Sequence, residues 1–211
     1  MGQPVVHGPA FSTYVRSVRL ALHEKGVPHE LVDVDVLGGA HKKAPHAARH
    51  PFGKVPAFEH DGTSLYEASA ILRYIDEVFP GPALMPSTPV ARAKVNQVMS
   101  VVDSYGYTPC VHGLFIPRVL APSLGGQTDM EKVESSKEPA KLFVVELERL
   151  LGSEQFFGGA NVSLADLHVL PVVTYLAATP EGQAILEGAP SLRGWLSRLQ
   201  KRPSTQAMMP S

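Results

Sequence analysis

The chain has 211 residues, 44% of them hydrophobic, with 19 basic and 20 acidic side chains and a single cysteine. That length can bury one large core or two small ones; the balanced charge argues against a nucleic-acid surface or polybasic membrane patch, and one cysteine excludes an intramolecular disulfide, a CxxC pair and a four-cysteine zinc site. No apolar run reaches the ~18 residues that span a bilayer, and the N-terminal MGQPVVHGPAF lacks the features of a secretory signal, so a cytoplasmic location is expected.

Gly2 is not followed by the Ser or Thr that a myristoylation signal needs at position six; Val6 stands there. Val5–His7 reads as a short buried strand ended by Gly8-Pro9. Val15, Val18, Leu20, Ala21 and Leu22 predict a helix over 14–25, stopped by Gly26 and Pro28. A second strand is expected over 29–36, which makes a βαβ unit and implies parallel pairing. A loop from Gly38-Gly39 leads to a short helix over 45–49. A strand over 57–59, a His60-Asp61-Gly62 turn and a strand over Thr63–Tyr66 follow. Glu67 opens a helix carrying Ala70, Ile71, Tyr74 and Ile75 at helical spacing. The order βαβ-α-ββα is the thioredoxin-like pattern.

GPALMPSTP over 81–89 has no periodicity and is expected to be a linker. Beyond it the pattern is helical throughout. Val95, Val98, Met99 and Val102 mark one helix, whose continuation Pro109, Gly113 and Pro117 should kink or interrupt. A loop is expected over 120–127, then a helix over Met130–Leu151 with a bend at Pro139. Ser163 and Asp166 form a capping box for the next helix, with Val162 able to staple to Leu167. Short helices near 181–187 and 191–201 follow, and the tail after Pro203 is expected to fray.

The richest stretch chemically is HPFGKVPAFEHDGTSLYEASAILRYID, from His50 to Asp76. Pro56 starts a strand, where its missing N–H is tolerated. A cis Val55–Pro56 bond would leave the Val55 N–H and C=O facing outward, an edge that accepts an extended peptide. The helix N-terminus at Glu67 suits a carboxylate. The stretch thus reads as a clamp for a peptide thiol or small anion. Ser12, just before the first helix, is on residues alone an ordinary N-cap, and His41-Lys42-Lys43 a solvated basic loop. His46 and His50 stand four apart with no third ligand beside them, so no metal site is expected. Cys110, among apolar and aromatic neighbours, reads as an inert buried thiol. Gly38-Gly39 lacks the Lys-Ser/Thr of a phosphate loop.

HPFGKVPAFE followed by YEASAI resembles NPFGxVPAFE followed by FESxAI, the glutathione-binding segment of phi-class cytosolic glutathione transferases. GPAFSTYVR from Gly8 to Arg16, GGAHKKAP around His41, and FFGGANVSLADLHVLP are similar to further segments of that family. The resemblance implies an α/β plus all-α fold. A thioredoxin-like glutathione domain would cover 1–80, a linker 81–89 and an all-helical domain with a hydrophobic substrate pocket 90–211. It puts Ser12 on the catalytic serine, with Thr13 as the neighbouring rival, and implies a thiolate held by the Ser12 hydroxyl, the helix N-terminus and Arg16. His41 and Lys42 would hold the glycine carboxylate of glutathione, and Lys54 stands where the family often has Gln. Val55 would pair with the cysteinyl backbone, and Glu67 would take the γ-glutamyl ammonium. The N–H of Ala68, which replaces a usual Ser, would take the γ-glutamyl carboxylate.

An electrophile pocket would draw on Phe11, His112 and Phe115. Glutathione is implied as co-substrate with no permanently bound cofactor or metal. A small hydrophobic electrophile or a peroxide is the second reactant. A homodimer is implied, with Phe52 docking into its partner. The alternative is a non-catalytic, ligandin-like binder of glutathione and hydrophobic ligands.

Overall fold

The computed structural model describes residues 2–208. Among these the chain divides into two compact units: one runs up to Leu84 and resumes from Arg202, and the other is Met85–Lys201.

The first unit is a four-stranded mixed sheet with helices, the thioredoxin-like arrangement. Its strands are β1 (Val5–His7), β2 (Glu30–Val32), β3 (Ala57–His60) and β4 (Thr63–Tyr66), in the order β2-β1-β3-β4. β1 pairs parallel with β2 and antiparallel with β3, and β3 pairs antiparallel with β4. Strand β2 is shorter than the expected 29–36. Its neighbour β1 ends at His7, the Gly8 N–H closes on the Val32 carbonyl at 2.9 Å, and past that point β2 has nothing to pair with. The expected turn at His60 is tighter. His60 pairs with Thr63, and Asp61-Gly62 alone makes a two-residue hairpin turn with positive φ at both positions.

Helix α1 (Thr13–Glu24) packs against α3 (Ala68–Val78), burying Val15, Val18 and Leu22 on one and Ile71, Leu72 and Ile75 on the other. Each of these side chains contributes roughly 2 kcal/mol by leaving water. Just past α1, Lys25 reaches Asp76 of α3 at 2.9 Å, with both side chains almost closed to solvent. A 3₁₀ turn (Ala40–Lys42) precedes the four-residue α2 (His46–Arg49), which packs on β3 and β4. Arg49 Nε donates to Glu59 Oε1 of β3 at 2.9 Å, and Glu59 Oε2 accepts from His7 of β1 at 3.1 Å. Burial alone would push the Glu59 carboxyl up, but these two donors outweigh it and hold the group below its usual range.

Residues from Arg202 return to this unit. The expected frayed tail is instead α10 (Pro203–Met208), which packs on α1 with Ser204, Thr205 and Met208 buried. Its anchor is Glu24, which accepts from Arg202 Nε at 2.8 Å, Arg202 Nη2 at 2.6 Å and the Ser204 hydroxyl.

The second unit is all-helical. Thr88 caps α4 (Pro89–Val101), accepting from the Ala91 N–H at 3.3 Å. Of the kink or interruption expected at Pro109, Gly113 and Pro117, no interruption occurs. The helix continues through π-helical segments Val102–Gly106 and Thr108–Leu120 into α5 (Ala121–Ser123). The wider π turn relieves the clash that a proline ring makes in an α turn, so the prolines are absorbed. The expected loop over 120–127 correspondingly begins only after Ser123. Helix α6 (Met130–Leu151) carries Pro139 inside it. The capping box of Ser163 and Asp166 opens α7 (Leu164–Ala177), which is buried on nearly every face. Asp166 is fully buried and accepts from Phe157 N, Ser163 N, Ser163 Oγ and Trp195 Nε1. Burial keeps its pKa above the ordinary value despite those donors. Helices α8 (Pro180–Glu187) and α9 (Pro190–Gln200) each begin on a proline, which needs no N–H partner there. Glu148 of α6 accepts from the Ser191 and Leu192 N–H groups at the start of α9.

Candidate active site

Ser12 occupies the N-cap of α1 with extended backbone (φ −64°, ψ 132°), and its side chain makes no capping hydrogen bond. Its N–H donates to the Pro9 carbonyl at 3.0 Å and its carbonyl accepts from Arg16 N at 2.9 Å. The backbone is thus held at both ends while the half-buried hydroxyl stays uncommitted. Thr13 is 2% exposed, which closes its hydroxyl to an approaching ligand. Arg16 Nε donates to the Ala10 carbonyl at 3.1 Å, so this guanidinium shapes the turn leading to Ser12.

Two glycines bring the other candidate segments to that turn. At Gly8 (φ +151°) an added Cβ would stand 2.5 Å from Val15 Cγ2 and 3.1 Å from Val55 Cβ. Only a residue without a side chain lets the end of β1 lie against Val55. At Gly53 (φ +57°) a Cβ would stand 3.3 Å from Lys42 Cγ and 3.4 Å from the His41 carbonyl. The Pro51–Gly53 turn therefore lies on the 3₁₀ turn of His41 and Lys42. The chain runs from His41 and Lys42, across Gly53 and Lys54 to Val55, and over Gly8 towards Ser12.

The Val55–Pro56 bond is cis, and among the described residues neither the N–H nor the C=O of Val55 takes a hydrogen-bond partner. Lys42 and Lys54 are exposed. His41 is half-buried, with Nδ1 enclosed and unpartnered. Glu67 is the exposed N-cap of α3, held at φ +69° with its side chain making no capping bond; Ala68 behind it is 7% exposed. The left-handed backbone at Glu67 is uncommon for a residue with a side chain. The first N–H groups of α3 have no acceptor within the helix. His50 lies buried beneath this rim, its ring 4.9 Å from Tyr66 and 6.3 Å from Phe52. Its pKa is lowered by burial, against the opposing pull of nearby Glu67.

Phe11, 40% exposed, belongs to the first unit. His112 and Phe115 belong to the second, on the π-helical segment. The exposed His112 stands edge-on to Tyr107 at 5.1 Å, and Phe115 stacks on Tyr175 at 3.9 Å. Cys110 is buried, and burial pushes its thiol far up, away from nucleophilic use. Sequence reading missed His46, whose ring reaches the Lys54 carbonyl, and the chain from Arg49 through Glu59 to His7. Neither leaves a local signal, because each is a contact between separate segments.

A family model described as the N-terminal domain of glutathione S-transferase matches residues 6–83, and one for the C-terminal domain matches 143–198. Glutathione S-transferase F6 of Arabidopsis thaliana is 34% identical over 209 residues, covering 97% of this chain and 98% of that protein. Glutathione S-transferase F7 of the same plant is 33% identical over 207 residues, covering 97% and 98%. Among solved structures, glutathione transferase F7 from Populus trichocarpa superposes with a TM-score of 0.85 at 32% identity, covering 97% of each chain. Maize glutathione S-transferase I, solved in complex with an atrazine glutathione conjugate, gives a TM-score of 0.83 at 29% identity, covering 98% of this chain and 96% of that one.

Proposed function

This chain belongs to the glutathione S-transferase family, with plant phi-class members as its relatives, and from that premise we propose that Ser12 is the residue that holds the reacting thiolate. The protein is a glutathione transferase. The observation that carries the assignment is a hydroxyl at the N-terminus of α1 that caps nothing, beside a threonine closed off by burial. A free thiol of pKa ~8.5 is only a few per cent ionised near neutrality, and lowering that pKa by two units takes ~2.7 kcal/mol. A hydroxyl donor and a helix N-terminus together supply stabilisation of that order. The thiol proton leaves to solvent, the sulfur lone pair forms the bond to the electrophilic carbon, and in an activated aryl halide the carbon–halogen bond breaks with its electron pair leaving on halide.

The remaining groups hold the tripeptide. The open N–H and C=O of Val55 pair with its cysteinyl backbone. Glu67 takes the γ-glutamyl ammonium, and the Ala68 N–H at the start of α3 takes the adjoining carboxylate. His41 and Lys42 receive the glycine carboxylate, and Lys54 donates from the rim as a point charge. The second reactant is a small hydrophobic electrophile. Glutathione acts as co-substrate without a resident cofactor, in a cytoplasmic homodimer.

Turnover of an activated aryl halide with glutathione tests the assignment. Wild-type enzyme forms the thioether with a pH–rate profile set by the bound thiol. Replacing Ser12 by Ala shifts that profile to higher pH, and an unshifted profile removes Ser12 from the role.

A further inference from the structure

His46 opens α2 and is 4% exposed, yet its imidazole is not idle: Nε2 lies 2.7 Å from the carbonyl oxygen of Lys54. A carbonyl only accepts, so Nε2 carries the proton and donates. The bond crosses from the helix to the segment just before Val55. Helix α2 is itself fixed, because Arg49 is tied to Glu59 of β3 and Glu59 to His7 of β1.

The Lys54 carbonyl and the Val55 N–H belong to one peptide group. That group is planar, and cis bonds among the described residues occur only at Ala44–Pro45 and Val55–Pro56, so the Lys54–Val55 bond is trans. In a trans peptide the C=O and N–H point in opposite directions. A carbonyl turned onto His46 therefore aims the Val55 N–H away from α2, into the open, and that N–H has no partner among the described residues. Lys54 is exposed and Val55 half-exposed, so without His46 the carbonyl would take water and the peptide plane would be free to turn.

We propose that His46 is a positioning residue for glutathione binding: its Nε2–H, by holding the Lys54 carbonyl, fixes the direction of the Val55 N–H that receives the cysteinyl backbone. The inference rests on the reading of Val55 given above. It separates binding from chemistry. Ser12 governs the state of the sulfur, whereas His46 governs how much order must be imposed on the edge when the tripeptide arrives. Freezing one peptide plane on binding corresponds to about fivefold in affinity, or ~1 kcal/mol.

The test compares wild type with His46→Phe, which keeps a ring and removes the donor, and with His46→Gln, whose amide nitrogen reaches the place of Nε2. His46→Phe is expected to raise KM for glutathione about fivefold while kcat at saturating glutathione and the pH–rate profile stay as in wild type. His46→Gln is expected to return KM towards wild type. A merely structural residue would lower the melting temperature and the folded fraction and leave KM alone; that result overturns the proposal. Should His46→Phe fail to fold, His46→Asn replaces it. Its amide stops one carbon short, so a KM equal to that of His46→Gln overturns the proposal equally.

The Val55 reading is checked separately, by following the ¹⁵N-labelled Val55 amide of the wild type as glutathione is added. No shift of that resonance removes the Val55 clamp and His46 with it. A clear shift together with an unchanged KM in His46→Phe keeps the clamp and removes His46 alone.

Discussion

Lys25 and Asp76 form a buried ion pair: Nζ stands 2.9 Å from Oδ1, with the side chains 3% and 9% exposed. The same carboxylate oxygen accepts from the Leu84 N–H at 2.8 Å, so one charge joins the end of α1, the body of α3 and the last stretch before the second unit. Lys25→Met leaves Asp76 enclosed without its cation. Thermal unfolding is expected to show a loss of about 3–5 kcal/mol, partly recovered when Asp76→Asn is added. A single mutant as stable as wild type would show that the pair contributes nothing.

Glu24 gives a pH dependence whose sign can be worked out. Burial alone would raise its pKa, but the donors from Arg202 and Ser204 outweigh burial and lower it. A depressed folded value means that the unfolded chain takes up the proton first as pH falls. The stabilisation is complete above the ordinary glutamate value, about 4.3, and is lost as pH falls through the lower folded value. Glu24→Gln should therefore melt earlier than wild type at neutral pH, by about 2 kcal/mol of stability, with the gap closing in acid. Melting curves across the acid range read this directly, and a constant gap contradicts it.

These two anchors also mark what could be read in the sequence. The Ser163–Asp166 capping box, the Asp61-Gly62 turn and the whole of α6 were legible because their physics is local: side-chain chemistry and backbone preference within a few residues. The cis Val55–Pro56 bond and the start of α3 at Glu67 were legible through their motif. The bond from Arg202 to Glu24 spans 178 positions, and nothing around Pro203 announces it, so the last helix read as a tail. The extent of β2 depends on where β1 stops rather than on its own residues. Pro109 and Pro117 misled because the rule that proline breaks a helix assumes the α turn, and the chain uses a wider one.

Ser12→Ala is expected to raise the apparent pKa of enzyme-bound glutathione towards its free value of ~8.5 and to cut kcat at neutral pH about tenfold or more, with little change in glutathione affinity. Ultraviolet titration of the bound thiolate measures the first and steady-state kinetics the second. If Thr13→Ala produces these effects instead, the assignment moves one residue along.

Ala68→Ser restores a hydroxyl at the start of α3, beside the N–H proposed to bind the γ-glutamyl carboxylate. One added hydrogen bond, ~1 kcal/mol, should tighten glutathione binding about fivefold by calorimetry. Unchanged or weaker binding would mean that the hydroxyl cannot reach the ligand from this buried position.

Phe52 is 71% exposed on the first unit, next to Tyr66 at 6.2 Å. Burying it in a second copy of the chain would contribute ~2 kcal/mol at each of two symmetry-related sites. Sedimentation should find a wild-type dimer that Phe52→Ser weakens. A wild-type monomer at micromolar concentration refutes the dimer, and a Phe52→Ser dimer of full strength removes Phe52 as its anchor.

The return of the chain at Arg202 has a practical consequence. In connectivity, the helical unit is an insertion: the first unit opens before it and closes after it, so both described ends of the polypeptide belong to that first unit. A purification tag, a fluorophore or a surface tether added at either end is therefore carried by that unit. Anything attached beyond Met208 loads α10 and, through Arg202 and Ser204, pulls on Glu24 at the far end of the helix that Ser12 begins. Circular permutants for biosensor or immobilisation work are better opened between α5 and α6, where the break disturbs neither closing segment of the first unit.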